Sequence, residues 1–479
     1  MSSVATSEDA AVGGVPDAPV VMPRGRRRTE ALMLVFSVGI VAFAYANVGF
    51  GLKGSLPPGI AEYVLAFAVL VTIAHLAVRR LAPWSDPLLL PLAATLNGLG
   101  NVMMYRLNES GRNGNPGAVI ATMTSSAATM QIVFTAIGLA CFVAVLVLVR
   151  EARVLQRYTY IFGLIGIVLI ALPALPGVGE TVQGAKIQIR LPGTTLQPEE
   201  FAKLALAVAF AGFLVAKRDV LSLAGRRLLG IDLPRARDLG PVLIIWAASL
   251  LLLVFESDVG TSALFMGLFV AMIYLATQRT SWLLIGFVLF VVGAFIAAKL
   301  FGHVGERFDV WLHPFAGKNP YNNAFQPDQA LYGMGSGGIL GKGLGGGQPY
   351  ITPLAQSDFV ISAFGEELGM TGLMAILLFY GLIVQRGLAA AIAVKDPFSK
   401  LLGGGLSFML ALQVFVIVGG VTRLIPVTGI TAPFLAQGGS SLIGSWMLIA
   451  MLIRLSDTAR RPPPQPIQDE GMTQVVNLS

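Results

Sequence analysis

The sequence predicts an all-α integral membrane protein with about twelve transmembrane helices and one large extracytoplasmic loop. Hydrophobic residues make up 55% of the chain and charged residues only 12%, whereas soluble domains carry about a quarter charged residues. The apolar residues fall in runs of about 20, the length that crosses a bilayer core of about 30 Å. Because these runs are solidly apolar and do not alternate, they predict helices and exclude a barrel.

The predicted spans follow a polar segment, residues 1–28, whose end is rich in arginine. We interpret this segment as a disordered cytoplasmic tail before an uncleaved first span, because the apolar run is too long for a signal peptide and no clean cleavage site ends it. A polar, Pro-rich tail at 456–479 is also predicted to be disordered. The spans are predicted at residues 30–50, 59–78, 84–104, 131–149, 158–176, 199–216, 239–255, 259–278, 281–300, 359–385, 401–421 and 433–453.

The distribution of Lys and Arg predicts the orientation. These residues lie in short loops between apolar runs, so the net charge of +7 indicates a membrane protein and not a nucleic-acid partner. With both termini in the cytoplasm, the cytoplasmic loops and tails hold about twice as many Lys and Arg as the outer ones. The longest loop, residues 301–357, is then extracytoplasmic. A long extracytoplasmic loop of a cytoplasmic-membrane protein is usually either functional or disordered. The apolar and aromatic residues within this loop favour an ordered one.

Ionisable residues at membrane depth are functional candidates, because burying them in lipid is costly. Glu200 and Lys203 start the sixth span at i,i+3 spacing, which places them on one helical face. They form either a structural ion pair or part of a functional site. Asp258 lies between two apolar runs, where it either caps the eighth span or has a functional role.

Asp358 follows the long loop at the start of the tenth span. A carboxylate at this position faces both water and the lipid headgroups. Two interpretations are open from the residues alone: Ser357-Asp358 caps the helix, or Asp358 takes part in catalysis.

Other patterns exclude common site types. His75, His303 and His313 are too scattered for a zinc site, and the single cysteine, Cys141, is interpreted as a buried structural thiol. The glycine-rich segment 333–347 does not match a nucleotide-binding loop. It is either a tightly turned loop or a place where backbone amides approach a phosphate or sugar.

An ordered series of motifs runs along the chain. The motifs are Gly184-Ala185-Lys186, Leu196-Gln197-Pro198-Glu199-Glu200-Phe201-Ala202-Lys203, Asp258-Val259-Gly260-Thr261, Arg307, Gly335-Ser336-Gly337-Gly338, Gly341-Lys342-Gly343, Ser357-Asp358-Phe359, Gly365-Glu366-Glu367-Leu368-Gly369, Leu424-Ile425-Pro426-Val427-Thr428-Gly429 and Gly438-Gly439-Ser440-Ser441. This ordered series resembles the SEDS family of shape, elongation, division and sporulation proteins, which includes RodA, FtsW and SpoVE. The resemblance covers residues 84–455, and the two spans within 29–80 are additional, as in the longer RodA variety.

The resemblance implies a peptidoglycan glycosyltransferase that polymerises lipid II on the outer face of the membrane, beside a class B penicillin-binding protein. The family's essential carboxylate falls on Asp358, as a general base or as the ligand of a divalent ion, Mg²⁺ or Mn²⁺. No organic cofactor is implied. The predicted substrate-binding residues are Arg307, Lys342, Lys186, Arg190 and Gln329.

The sequence differs from the family pattern at His313-Pro314, Ala324-Phe325-Gln326 and Gln437-Gly438-Gly439-Ser440. Two alternative functions are a lipid II flippase and a non-catalytic scaffold for the transpeptidase. A transporter often shows inverted repeats with paired broken helices, and this sequence shows no clear one.

Overall fold

The computed structural model describes residues 24–112, 127–175, 177–182, 185–191, 194–222, 224–228, 231–234, 259–316 and 324–462. Within these ranges most of the chain is helical. The helices, numbered in chain order, are α1 Arg24–Lys53, α2 Ile60–Leu81, α3 Leu89–Arg112, α4 Ala127–Leu148, α5 Thr159–Ala171, α6 Glu199–Ser222, α7 Val259–Thr277, α8 Thr280–Leu300, α9 Gly302–Leu312, α10 Phe325–Gly337, α11 Val360–Ala393, α12 Pro397–Val421 and α13 Gly439–Arg460.

In the described part of the chain, nine helices are long and apolar enough to cross a membrane. The predicted class, an all-α membrane protein, is confirmed. Two more predicted spans correspond to the 24-residue helices α3 and α6, and both hold charged residues that are buried. Examples are the buried Arg106 in α3 and the buried Glu200 in α6. The span predicted at 239–255 lies outside the described residues, and α1 and α13 extend into the two predicted tails.

The segments between the spans contain small sheets and short helices. An antiparallel sheet of β1 Gly179–Val182, β2 Ala185–Leu191 and β3 Thr194–Leu196 precedes α6, and a hairpin of β4 Ala224–Leu228 and β5 Ile231–Pro234 follows it. The predicted long loop, residues 301–357, contains α9, α10 and a 3₁₀ turn at Pro349–Ile351. The prediction that this loop is ordered is confirmed for the part that the structure describes.

Burial separates inner helices from outer ones. In the most apolar 18-residue stretch of each helix, 89% of the residues of α13 are buried in the protein, as are 67% of those of α7 and of α12. In α8 only 17% are buried. A helix that is apolar on all sides and still exposed in the protein faces lipid. Small residues let α13 approach its neighbours, and Trp446 packs between Phe142 and Phe434 with ring centroids 5.7 and 5.4 Å apart. The centre of the bundle therefore lies around α13.

The start of α12 shows local sequence determining a helix boundary. Asp396 is the N-cap residue, and its side chain accepts a hydrogen bond of 2.9 Å from the backbone N–H of Ser399. Pro397 is the first helical residue, where its missing N–H costs nothing. This boundary fixes one end of α12, whose other end leads into the residues around the candidate site.

Candidate active site on the side of the long loop

Asp358 lies half-buried in the turn that closes the long loop. The N-cap residue of α11 is Phe359, which makes no side-chain cap hydrogen bond, so Asp358 lies one residue before the N-cap position. The carboxylate faces residues 422–438, which join α12 to α13 and which we call the connector. A Cβ atom built on Gly429 would lie 3.9 Å from Oδ2 of Asp358. Gly429 has a φ of 78°, a conformation that glycine adopts at no steric cost.

Arg307 reaches the same point from α9. Its Nη1 donates a hydrogen bond of 3.1 Å to the backbone oxygen of Thr428, the residue before Gly429. The side chain is half-buried. The sequence predicts Arg307 and Asp358 as site residues, and the structure brings both to the connector. The guanidinium lies beside Thr428, and the carboxylate lies beside the next residue, Gly429.

An apolar cavity of about 740 Å³ adjoins Arg307. Residues of α7, α8, α9, α12 and the connector line it, and most of the lining is hydrophobic, as at Met266 and Phe290. The lining also includes two cations, Arg307 and Lys299. A mostly apolar cavity with a few placed polar groups is the usual form of a small-molecule site. This one suits an amphiphile with a hydrocarbon chain and an anionic head.

A break in α11 joins this helix to the glycine-rich segment of the long loop. Gly369 has φ 66° and ψ −171° in the middle of the helix, so the N–H groups that follow have no helical partners. The N–H of Met370 donates to Gly338 O at 3.0 Å, and that of Thr371 donates to Ile339 O at 3.1 Å. The loop thus satisfies donors that the break exposes.

The same break exposes carbonyl groups on its other side. The carbonyl of Glu366 accepts from the N–H of Lys342 at 3.1 Å, and that of Glu367 accepts from Gly343 at 2.9 Å. A Cβ atom on Gly341 would lie 2.3 Å from Glu367 O, so only glycine fits there. The glycines of this segment therefore serve close packing against α11, which favours the turned-loop interpretation.

Lys342, a predicted substrate contact, forms an ion pair with Glu366. Its Nζ lies 2.9 Å from Oε1 of Glu366. The same carboxylate oxygen accepts a hydrogen bond of 2.9 Å from the backbone N–H of Gln348. Lys342 therefore helps to hold the glycine-rich segment on α11.

A second and deeper ion pair joins Arg106 and Glu367, which the sequence analysis did not single out as a pair. Nε of Arg106 lies 2.6 Å from Oε1 of Glu367, and Nη2 donates to the backbone oxygen of Gly347 at 2.8 Å. Both side chains are at most 1% exposed. This arginine joins α3, α11 and the end of the glycine-rich segment.

The other predicted substrate-binding residues lie on separate elements. Gln329 is half-buried on α10, and Lys186 and Arg190 are on strand β2, where the side chain of Arg190 is exposed. The side chain of Lys186 and the whole of Asp258 lie outside the described part of the protein.

Asp328 was missed by the sequence analysis. It is 3% exposed on α10, and neither carboxylate oxygen has a hydrogen-bond partner among the described residues. Burial raises the pKa of the Asp328 carboxyl, and the charge of Arg423 on the connector opposes that shift. The signal available in the sequence was that Asp328 is the single charged residue of the segment that forms α10.

Glu200 and Lys203 form the predicted ion pair. Both residues are buried. Nζ of Lys203 also donates to Oε1 of Gln413 on α12 at 3.1 Å, and Nε2 of Gln413 donates to the backbone oxygen of Thr431 at 3.0 Å. The pair therefore continues into a chain of hydrogen bonds that ends on the connector, two residues from Gly429.

We expect Glu200→Ala to lower the folded yield in detergent more than the double variant Glu200→Ala/Lys203→Ala. The single change leaves the buried Lys203 without its counter-charge, whereas the double change removes both charges. Size-exclusion chromatography after purification measures the yield. A double variant that is worse than either single variant would show that the pair is not what stabilises α6.

Among the residues that the structure describes, no group of three or more His, Cys, Asp or Glu side chains is placed to hold a metal ion.

Comparison with known proteins identifies the family of the chain. The family model of the cell cycle proteins FtsW, RodA and SpoVE matches residues 61–461. Peptidoglycan glycosyltransferase RodA of Mycobacterium tuberculosis strain H37Rv is 47% identical over 442 residues, which cover 91% of this chain and 92% of that protein. The RodA of Mycobacterium leprae strain TN is 46% identical over 438 residues, with the same two shares covered.

Solved structures show the same fold. RodA of Thermus thermophilus matches with a TM-score of 0.50 at 23% identity, covering 79% of this chain and 98% of that one. A chain of a peptidoglycan synthase complex that coordinates polymerization and crosslinking matches with a TM-score of 0.51 at 22% identity, covering 84% and 98%. From the extent of the family match and the identity to its mycobacterial members, the chain belongs to the FtsW, RodA and SpoVE family.

Proposed function

We propose that this chain is a peptidoglycan glycosyltransferase that polymerises lipid II into glycan strands. The observation that carries the proposal is the meeting of Asp358 and Arg307 at Thr428–Gly429, beside the apolar cavity. The names of the mycobacterial relatives give the same activity for those proteins. Lipid II joins a polyprenyl chain, a pyrophosphate and a sugar, which matches a cavity with an apolar wall and a cation at its edge.

Asp358 is the proposed general base. The acceptor sugar hydroxyl transfers its proton to the carboxylate while the hydroxyl oxygen attacks the anomeric carbon of the donor. The new glycosidic C–O bond forms as the bond to polyprenyl pyrophosphate breaks, and the pyrophosphate leaves with the electron pair. Each cycle therefore consumes one glycosidic phosphate bond and makes one sugar–sugar bond.

Arg307 is the proposed partner of the leaving group. A guanidinium beside a developing pyrophosphate stabilises the charge that appears in the transition state. Gln329, Lys186 and Arg190 remain predicted contacts of the substrate. Lys342 is already paired with Glu366, so in this proposal it acts chiefly by holding the glycine-rich segment.

A divalent ion at this site would be held by Asp358 together with the phosphates of the substrate. Mg²⁺ is commonly bound by one or two carboxylates plus substrate phosphates, and Asp358 would supply such a carboxylate. When bound, Mg²⁺ or Mn²⁺ would supply charge stabilisation at the pyrophosphate.

The proposed protein partner is a class B penicillin-binding protein. The support is the fold match to a chain of a synthase complex in which polymerization and crosslinking are coordinated. A transpeptidase beside the glycan polymerase would cross-link the strand as it forms.

A polymerisation assay on the purified protein with lipid II tests the activity. Polymer on a gel supports the glycosyltransferase. Lipid II movement across a vesicle membrane without polymer would indicate a flippase, and neither product would indicate a scaffold that acts only by recruiting its partner.

We further propose that both termini lie in the cytoplasm and the long loop lies outside, as the Lys and Arg distribution predicts. Ser336 is exposed on the loop side. Ser336→Cys should react with a membrane-impermeant thiol reagent in intact cells that lack an outer membrane. Native Cys141, which is half-buried on α4 and not fully buried as predicted, serves as the unreactive control. Labelling that requires cell lysis would reverse the orientation.

A further inference from the structure

The first described helix, α1, touches the glycine-rich segment, although it lies before the residues that the family model matches, 61–461. A Cβ atom built on Gly51 would lie 2.4 Å from the backbone oxygen of Leu344 and 3.0 Å from Cα of Gly345. Real Cβ atoms do not approach backbone this closely, so the contact exists only because residue 51 has no side chain.

The opposite side of the contact is also built from glycine. Gly345 has a φ of 90°, and a Cβ atom there would lie 3.0 Å from the backbone oxygen of Val48 and 3.1 Å from Cα of Gly51. Two backbones thus pack directly on each other, and neither can move closer or add a side chain without displacing the other.

If a side chain at residue 51 displaced the glycine-rich segment, the residues that form hydrogen bonds with this segment would also be displaced. Gly343, two residues before Gly345, donates its N–H to the carbonyl of Glu367 at 2.9 Å. Gly347, two residues after it, accepts from Arg106 at 2.8 Å. Both attachments lead to the outer part of α11, the helix that Asp358 precedes.

Side chains also tie the end of α1 to this region. Lys53, the last residue of α1, forms an ion pair with Glu109 on α3, three residues along that helix from Arg106. The rings of Tyr45 on α1 and Tyr105 on α3 lie 4.5 Å apart. The end of α1 is therefore held against the helix that supplies Arg106.

We propose that the end of α1 positions the active site, with Gly51 as the positioning residue that sets the place of the glycine-rich segment on α11. This role rests on the proposed glycosyltransferase function. α1 lies outside the residues that the family model matches, and this role gives it a direct part in the geometry of the site.

The test compares Gly51→Ala and Gly51→Val with Gly39→Val. Gly39 lies on the same helix, and a Cβ atom there meets nothing within 4 Å, so Gly39→Val is the matched control. Alanine favours a helix more than glycine does. A loss of activity in Gly51→Ala therefore runs against helix propensity and reports the contact.

We expect Gly51→Val to lower the kcat of lipid II polymerisation about tenfold or more, because small displacements of an active site have effects of that size. The KM should stay within about twofold, since the substrate is still bound. Gly51→Ala should give a smaller loss of kcat, and Gly39→Val none.

A second measurement does not depend on activity. In a chain with Cys141→Ala, the half-buried Leu344 is replaced by cysteine, and its rate of labelling by a maleimide is measured in detergent. The rate should rise with Gly51→Val and not with Gly39→Val. A wild-type protein that makes no polymer defeats the proposed function, while the labelling still decides this inference. Equal kcat and equal labelling in the Gly51 and Gly39 variants would overturn it, and if Gly51→Val does not fold, Gly51→Ala decides by the same criteria.

Discussion

Asp358→Asn is expected to lower glycan polymerisation about 100-fold or more while the protein folds normally, the usual scale for loss of a general base. Asparagine has nearly the same size and keeps one side-chain oxygen, but it has no charge and no basicity at the atom that faces Gly429. Asp358 lies one residue before the N-cap residue Phe359, and asparagine caps a helix about as well as aspartate does, so the substitution leaves the start of α11 intact. Polymer on a gel, measured against wild-type protein at equal concentration, gives the effect.

Two controls accompany the Asp358 variant. The thermal midpoint in detergent should match that of the wild type. The proposed partner, a class B penicillin-binding protein, should still co-purify, because association requires no proton transfer. A well-folded Asp358→Asn protein with near-normal polymer would remove Asp358 from the chemistry and leave the activity, if present, to another group near the connector.

Arg106→Leu is expected to have the largest effect on stability, about 3–5 kcal/mol, because it leaves a fully buried carboxylate without its counter-charge. The change also removes the donor to the backbone oxygen of Gly347. The double variant Arg106→Leu/Glu367→Leu should recover part of the loss, since no unpaired charge then remains in the interior. Thermal unfolding in a single detergent measures both variants.

Arg106→Lys is the matched control for this prediction. Lysine keeps the charge but cannot donate to Glu367 and Gly347 from one planar group, so its midpoint should fall between those of wild type and Arg106→Leu. If Arg106→Leu unfolds at the wild-type temperature, the pair does not hold the glycine-rich segment on α11.

Local patterns in the sequence predicted local structure. The pairing of Glu200 with Lys203 followed from i,i+3 spacing on one helix, and the apolar runs predicted most of the helices that the structure describes. The polar α3 was still found as a span because its apolar residues dominate the run. The sequence identifies Asp358 and Arg307 as candidates because they belong to motifs that follow one another in the same order as in the family.

Contacts between distant parts of the chain were beyond the sequence. Arg106 and Glu367 are 261 residues apart, and no spacing rule joins them. Likewise, the motifs around Asp358, Arg307 and Thr428–Gly429 gave no indication that all three meet. From the sequence, the glycines suggest turns or phosphate binding. Their packing against the helix break at Gly369 could not be predicted, because it is a contact between separate parts of the chain.

The backbone hydrogen bonds between the glycine-rich segment and α11 make length, more than side-chain identity, the constrained property of residues 339 and 340. The carbonyls of Gly338 and Ile339 accept hydrogen bonds from N–H groups that follow Gly369 in α11. The N–H groups of Lys342 and Gly343 donate to carbonyls that precede Gly369. The side chains of Ile339 and Leu340 point away from these bonds and are 69% and 80% exposed. Homologous chains should therefore vary freely in residue type at 339 and 340, whereas an insertion or deletion there would shift every downstream hydrogen bond by one position.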